Sequence, residues 1–275
     1  MLVCIVMCVI VLASGGDLVV AQRRGAVQRS PRTRKARVSP GTTEARFVQL
    51  RSDYLRGYSI FHPTAQINFD ANRTGALETR SAAAIAGEGR RLRLALAGIN
   101  SLRRSESNLS NDARDTLAAL EAHARRELFA LEDARVWQRD PTLYTTLIGR
   151  HVDALFGRGG IDAARPHALF IQRGDDIERL LSEARANLME VSRPSAEAGA
   201  EDARGCVAYF RKVVPQLFER AGGGRLPAVA RAEFADANNR FITSLNAHAV
   251  WLERELMPRA TSAPPLTIET YNRRV

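Results

Sequence analysis

SNDARDTLAALEAHARRELFALE, residues 110–132, is the segment whose reading decides the fold class. Leu117, Leu120, Ala124, Leu128 and Leu131 recur three or four residues apart, so they share one side of a helix with about 3.6 residues per turn. Glu121, Arg125, Arg126, Glu132 and Arg135 fall largely off that stripe, which makes the segment amphipathic. Ser110 is placed to cap the N-terminus, and Asp112 puts negative charge where the helix dipole favours it. The pattern predicts a helix running to about Arg139-Asp140, because Pro141 disfavours helical geometry in the residue before it. A new helix can start at once, with proline in its first turn and Asp140 as its cap. Trp137–Tyr144 therefore reads as a tight connection between antiparallel helices, with Trp137 burying its ring in the corner.

Upstream, the spacing of Phe47, Leu50, Tyr54, Leu55 and Tyr58 predicts a helix capped by Thr43 and ended by His62-Pro63. Ile67–Gly75 reads as loop, and a further helix is predicted from about Ser81 to Leu102. Downstream, helices are expected over Thr142–Arg158, about Ala168–Met189, about Ser195–Ala221 and Leu226–Met257. Gly159-Gly160, Arg193-Pro194 and Gly222-Gly223-Gly224 punctuate them. Pro215 should kink or split the helix that contains it. Neither sustained strand alternation nor a short constant repeat is present. The expected fold is all-α, an irregular bundle of long antiparallel helices.

The net charge of +10 suggests nucleic acid until it is located. Arg23, Arg24, Arg29, Arg32, Arg34, Lys35 and Arg37 crowd into residues 22–41 without an acid, leaving about +4 for residues 42–275 once Asp17 is counted. Residues 22–41 are therefore expected to form a basic, flexible linker, and nucleic acid is not an expected partner. Before them, Leu2–Ala13 is apolar but shorter than the roughly 20 residues a membrane-spanning helix needs. Ser14-Gly15-Gly16 and the small residues up to Ala21 read as a cleavage region, so residues 1–21 are expected to be a signal peptide, lacking only its basic start. No stable membrane span is expected. Residues 42–275 are expected to form one helical domain. Removing the signal would leave Cys206 as the single cysteine, read as a small core residue.

No stretch spells a catalytic motif. His62, His123, His151, His167 and His248 include no HExxH pair, which would put two zinc ligands on one helical face. His123 and Glu127, four apart, read as a solvated ion pair, and His248 near Trp251 as packing. Nucleophile elbows and phosphate-binding glycine loops are missing as well. The acidic pair Asp175-Asp176 suits an early helical turn. Neither a catalytic, a cofactor-binding nor a metal-binding residue is assigned.

Four stretches nevertheless resemble one bacterial family, the domain of unknown function 885. They are FVQLRSDYLRGY with His62-Pro63, then VWQRDPTLYTTLIG, then DDIERLLSEARANLMEVSRP, and finally WLERELMPRATSAPPLTIETYNRRV. Within them Trp137, Asp140, Tyr144, Ala184, Arg185, Asn187, Leu188, Pro258, Arg259, Ala260, Thr261 and Tyr271 carry the resemblance. The region FHPTAQINFDANRTGALETRS departs from the family, which usually has a glycine, histidine and aspartate segment there. The resemblance implies an exported or envelope-associated helical protein related to zinc metallopeptidases. Such relatives are about twice this length, with an HExxH-type site in the C-terminal half. On that reading the chain is a truncated N-terminal half, without hydrolytic activity or zinc of its own. Self-association, or docking of a separately encoded second half, would then be expected to cover its exposed apolar face. Arg185 and Asn187 would line a substrate channel or serve as polar packing contacts. The alternative is a helical cell-envelope binding module without enzymatic activity.

Overall fold

The computed structural model describes residues 42–67, 76–157 and 164–262. The expected signal peptide, the basic linker and Tyr271 lie outside the described residues. The described chain is all-α, as its periodicities require, and its one β-type contact is an isolated parallel bridge between Ser192 and Thr261. The described residues form two compact units, one from those up to Tyr54 with Arg93–Arg125, the other from those of Leu55–Leu92 and from Arg126 onward.

The first unit draws on α1 (Thr43–Phe61), α3 (Ala82–Arg103) and α4 (Asn111–Glu132). Its core is the stripe read from the sequence: Leu117, Leu120 and Ala124 are buried, joined by Phe47, Tyr54, Ile99 and Leu102. Gly98 lets α1 approach closely, because a Cβ there would lie 2.6 Å from Leu50 Cδ1. Ser110 caps α4 as expected, its Oγ accepting the Ala113 N–H at 3.3 Å. The cap of α1 is Thr42 rather than Thr43, with Thr42 Oγ1 accepting from Ala45 at 3.1 Å. Capping requires the residue just outside the helix, and α1 already includes Thr43. His123, expected in solvent, is buried, and its Nδ1 lies 2.6 Å from the Tyr54 hydroxyl.

In the second unit α2 (Pro63–Ile67) follows α1 directly, and α5 (Val136–Arg139) follows α4. Then come α6 (Thr142–Phe156), α7 (Ala164–Gln172), α8 (Gly174–Asn187), α9 (Arg193–Lys212), α10 (Val214–Arg220) and α11 (Ala228–Trp251). A π-helical turn, Leu252–Leu256, ends α11. Side-chain pairs fix the directions. Asn238 meets Phe210 while Glu253 meets Arg204, so α9 and α11 run antiparallel. Asp153 meets Tyr209 while Thr145 meets Asp202, so α6 and α9 run parallel. Successive long helices thus alternate in direction. Phe156, Phe170, Phe210, Phe218, Phe234 and Phe241 fill the interior, with Phe218 and Phe234 stacked at 3.8 Å between centroids. Cys206 is buried among them, which pushes its thiol up to about 12.

Three boundaries differ from the sequence reading. α4 stops at Glu132, seven residues early, because Arg135 adopts the left-handed region (φ 45°) and turns the chain. The helix expected over Ala168–Met189 is two, α7 and α8, separated at Arg173. Pro194 does not separate helices. It sits in the first turn of α9, which Ser192 caps. Pro215 does split its helix, leaving α10 as a separate short piece. Gly222 (φ 97°) makes the turn after α10 in a conformation that favours glycine.

Candidate functional site

α8 has two faces. Ile177, Leu180, Leu181 and Ala184 pack into the core. Asp176, Arg179, Glu183 and Asn187, three or four residues apart, form a polar row beside them. That row meets the non-helical segment Ala76–Arg80, which has no helical hydrogen-bond ladder of its own. Asp176 Oδ2 lies 3.5 Å from the Leu77 N–H, and Arg179 donates to the carbonyls of Leu77 (3.4 Å) and Glu78 (3.2 Å). Glu183 accepts from the Arg80 N–H at 2.5 Å and the Thr79 hydroxyl at 2.7 Å. Asn187 Nδ2 donates to the Arg80 carbonyl at 2.6 Å. One helix edge thus takes the place of a neighbouring strand, satisfying main-chain groups that would be costly to bury unpaired.

Pinned in this way, the segment delivers two charged side chains to the interior. Glu78 is 2% exposed and Arg80 is 4% exposed. Arg80 donates to the Phe61 carbonyl at 3.2 Å, an end-of-helix acceptor, and its guanidinium lies 4.3 Å from the Phe61 ring centroid. Burial draws the pKa of Arg80 down from the ordinary arginine value, with Glu78 as the largest opposing influence. Glu78 accepts from both the Thr64 N–H (3.3 Å) and the Thr64 hydroxyl (2.7 Å), fixing the first turn of α2. His151 Nδ1 lies 3.5 Å from Thr64 Oγ1. Because the threonine proton goes to Glu78, the histidine must be the donor there, which leaves its buried Nε2 as an acceptor without a partner. Burial, then the neighbouring Arg173 against the opposing Asp176, lowers the His151 pKa to about 4. Glu127, expected beside His123, brings Oε2 to 3.2 Å from His62 Nε2, off the line of a hydrogen bond.

The corner read from the sequence adjoins this cluster. Tyr144 is fully buried, and its hydroxyl donates to the Trp137 carbonyl at 2.6 Å while accepting from Asn187 at 3.1 Å. Burial raises its pKa above the usual phenol value. Asp140 does cap, its Oδ1 taking the Thr142 N–H at 3.0 Å and the Thr142 hydroxyl at 2.7 Å. Trp137 corrects the expectation of a buried ring. It is half-buried, and its Nε1 donates to the Leu131 carbonyl at 2.9 Å, closing the end of α4. Arg135 and Arg139 both reach Glu190, at 2.8 and 2.7 Å, and Arg193 and Thr261 exchange backbone bonds with Thr261 and Val191. The second, third and fourth family-like stretches therefore meet at one end of α8. Asn187 belongs to that junction. Arg185 does not, because it is exposed, and its charge acts on His248.

Sequence reading missed Thr64, Glu78, Arg80, His151 and Glu183. The one legible signal was the polar row on α8, since Asp176 was assigned only to the helix dipole. Among the described residues no three His, Cys, Asp or Glu side chains converge to hold a metal. No described helix is long and apolar enough to cross a membrane.

Two comparisons place the chain among known proteins. The family described as "Bacterial protein of unknown function (DUF885)" matches residues 63–275, so FVQLRSDYLRGY falls just before the match. A solved structure from Shewanella oneidensis, described as a "putative lipoprotein of unknown function", is similar with a TM-score of 0.59 at 15% identity, a likeness of fold alone. The likeness covers 77% of this chain and 38% of that one, so the chain spans well under half its length. No curated protein matches.

Tyr144→Phe should cost about 1–3 kcal/mol, because it leaves the Trp137 carbonyl without its donor in a buried junction. Trp137→Ala should cost less than the roughly 3–5 kcal/mol of a fully buried aromatic. Urea midpoints measure both, and an unaltered midpoint for Tyr144→Phe contradicts the junction. His151 and His248 share a second test, since burial lowers both to about 4. The unfolded chain takes up these protons first, near pH 6.5, so stability is full above that value and falls as the pH drops toward 4. Between pH 7 and 5 each histidine should cost about 2 kcal/mol. Replacing either one with glutamine should flatten that slope, and an unchanged slope contradicts neutral buried rings.

Proposed function

This chain belongs to the DUF885 family of bacterial proteins of unknown function, and from that premise we propose that it is the non-catalytic helical scaffold of an exported, envelope-associated, metallopeptidase-like protein. The observation that carries the proposal is how the family-like side chains are used. Tyr144 and Asn187 bond to each other and to backbone, Asp140 caps α6, and Trp137 closes α4. In this reading each serves to hold helices in place. Export rests on the apolar N-terminal run and its small-residue cleavage region. The lipoprotein description of the Shewanella structure supports an envelope location. Residues 42–275 act as one supporting domain in this reading, with zinc and hydrolysis belonging to the HExxH-type part of longer relatives.

A second protein segment carrying that chemistry is the expected partner, and a second copy of this chain is the other candidate. The test is direct. Purified protein supplied with stoichiometric zinc should retain no tightly held metal after gel filtration and should cleave no peptide in a casein digest assay. Chelator-sensitive cleavage, or one zinc retained per chain, overturns the scaffold reading.

A further inference from the structure

Positive charge in the second unit is concentrated at one end. α9 and α11 run antiparallel, so the C-terminus of α9 and the N-terminus of α11 lie together, bridged by α10 and the turn after it. Residues 211–231, which make this end, hold five cations, Arg211, Lys212, Arg220, Arg225 and Arg231, against the single acid Glu219. All five cations are exposed. The remaining described residues of the unit contain slightly more acids than bases. Arg211, Lys212 and Arg220 occupy the last turns of α9 and α10, where a helix dipole favours cations. That reason fails for Arg225 and Arg231. They flank the N-terminus of α11, where the dipole favours acids and the first turn has none.

The same end carries apolar side chains into solvent. Pro227, Ala228 and Val229 are exposed between those two arginines, Val229 to 70%, and Val213 at the α9–α10 break is exposed as well. The one aromatic residue of the segment, Phe218, is buried. No side chain caps α11, whose first N–H groups, those of Ala228, Val229 and Ala230, point toward this tip.

We infer that this end of the bundle docks on an anionic phospholipid surface. Arg225 and Arg231 meet headgroup phosphates, and the uncapped N–H groups of α11 add donors for the same anions. Val229 and Pro227 settle at the boundary between headgroups and acyl chains. A nucleic acid would meet the cations but would find no exposed ring for its bases to stack on, and no use for the aliphatic tip. The inference rests on the exported, envelope-associated part of the proposed function and is independent of the scaffold role.

Hydrogen exchange of the full chain, with and without vesicles of phosphatidylglycerol and phosphatidylcholine, tests it. Residues 2–13 and 22–41 are apolar and basic enough to attract vesicles themselves, so the readout is local: the amides of Ala228, Val229 and Ala230. These should slow on the mixed vesicles, not on phosphatidylcholine alone, and the effect should fade as salt rises. Arg225→Gln and Arg231→Gln should each cut the protection gained about fivefold. Val229→Asp should abolish it, although the helix dipole favours that change and the thermal midpoint should not fall. Exchange unaltered by anionic vesicles, equal slowing on neutral ones, or indifference to all three substitutions overturns the inference. So does equal slowing with duplex DNA, or with rising protein concentration alone, which would assign the tip to nucleic acid or to a second copy. Cell fractionation separates the two readings. Chain retained in the cytoplasm would sink the envelope location, whereas exported chain with unprotected tip amides would sink only the docking surface.

Discussion

The second unit depends on one constraint, the need to satisfy the backbone of residues 77–80 without a strand to pair with. Every buried main-chain donor and acceptor must find a partner, and an irregular segment inside an all-helical structure has none of its own. Here the partners are side chains, most of them from one edge of α8, while the Arg80 guanidinium donates to the Thr79 carbonyl at 3.0 Å. Glu183 and Asn187 bracket Arg80 from its N–H to its carbonyl, while Asp176 takes the Leu77 N–H and Arg179 donates to the Leu77 and Glu78 carbonyls. With the backbone held, Arg80 and Glu78 can extend to the end of α1 and the start of α2. Charged groups this deep are tolerated because each has counter-charge and hydrogen bonds around it.

The same edge of α8 organises the residues that carry the family resemblance. Asn187 serves both the Arg80 carbonyl and the Tyr144 hydroxyl, and Tyr144 passes the connection on to the Trp137 carbonyl. Family-like residues that sequence alone places far apart thus become members of one polar junction. A junction of this kind explains why a tryptophan, an Asp-Pro pair and a tyrosine occur together in one short stretch. Asp140 sets the start of α6, Pro141 fits its first turn and packs against Gly199, and Tyr144 ties the helix to α8.

How much of this could be read beforehand follows from the range of each interaction. Helical periodicity is local, so the stripe Leu117–Leu131, the Ser110 cap and the break at Pro215 were all legible. Helix ends were less so. α4 stops at Glu132 because Arg135 takes a left-handed conformation, which is unusual for arginine and leaves no pattern in the sequence. Thr42 rather than Thr43 caps α1 because choosing between adjacent threonines depends on where the first turn closes. The polar junction is made of contacts spanning about a hundred residues, such as Asn187 to Arg80, and no periodicity encodes those. His123 shows the same limit. Its spacing to Glu127 suggested a surface pair, yet Tyr54, from a distant helix, draws it into the core.

Amide hydrogen exchange at Leu77 and Arg80 reads out directly whether α8 holds this backbone. These two N–H groups are donated to carboxylates on α8 rather than to any backbone carbonyl. Both should exchange as slowly as core amides of α11, and Glu183→Ala should release Arg80 while α11 stays protected. Fast exchange of Arg80 in the unaltered protein, or protection that survives Glu183→Ala, would contradict it.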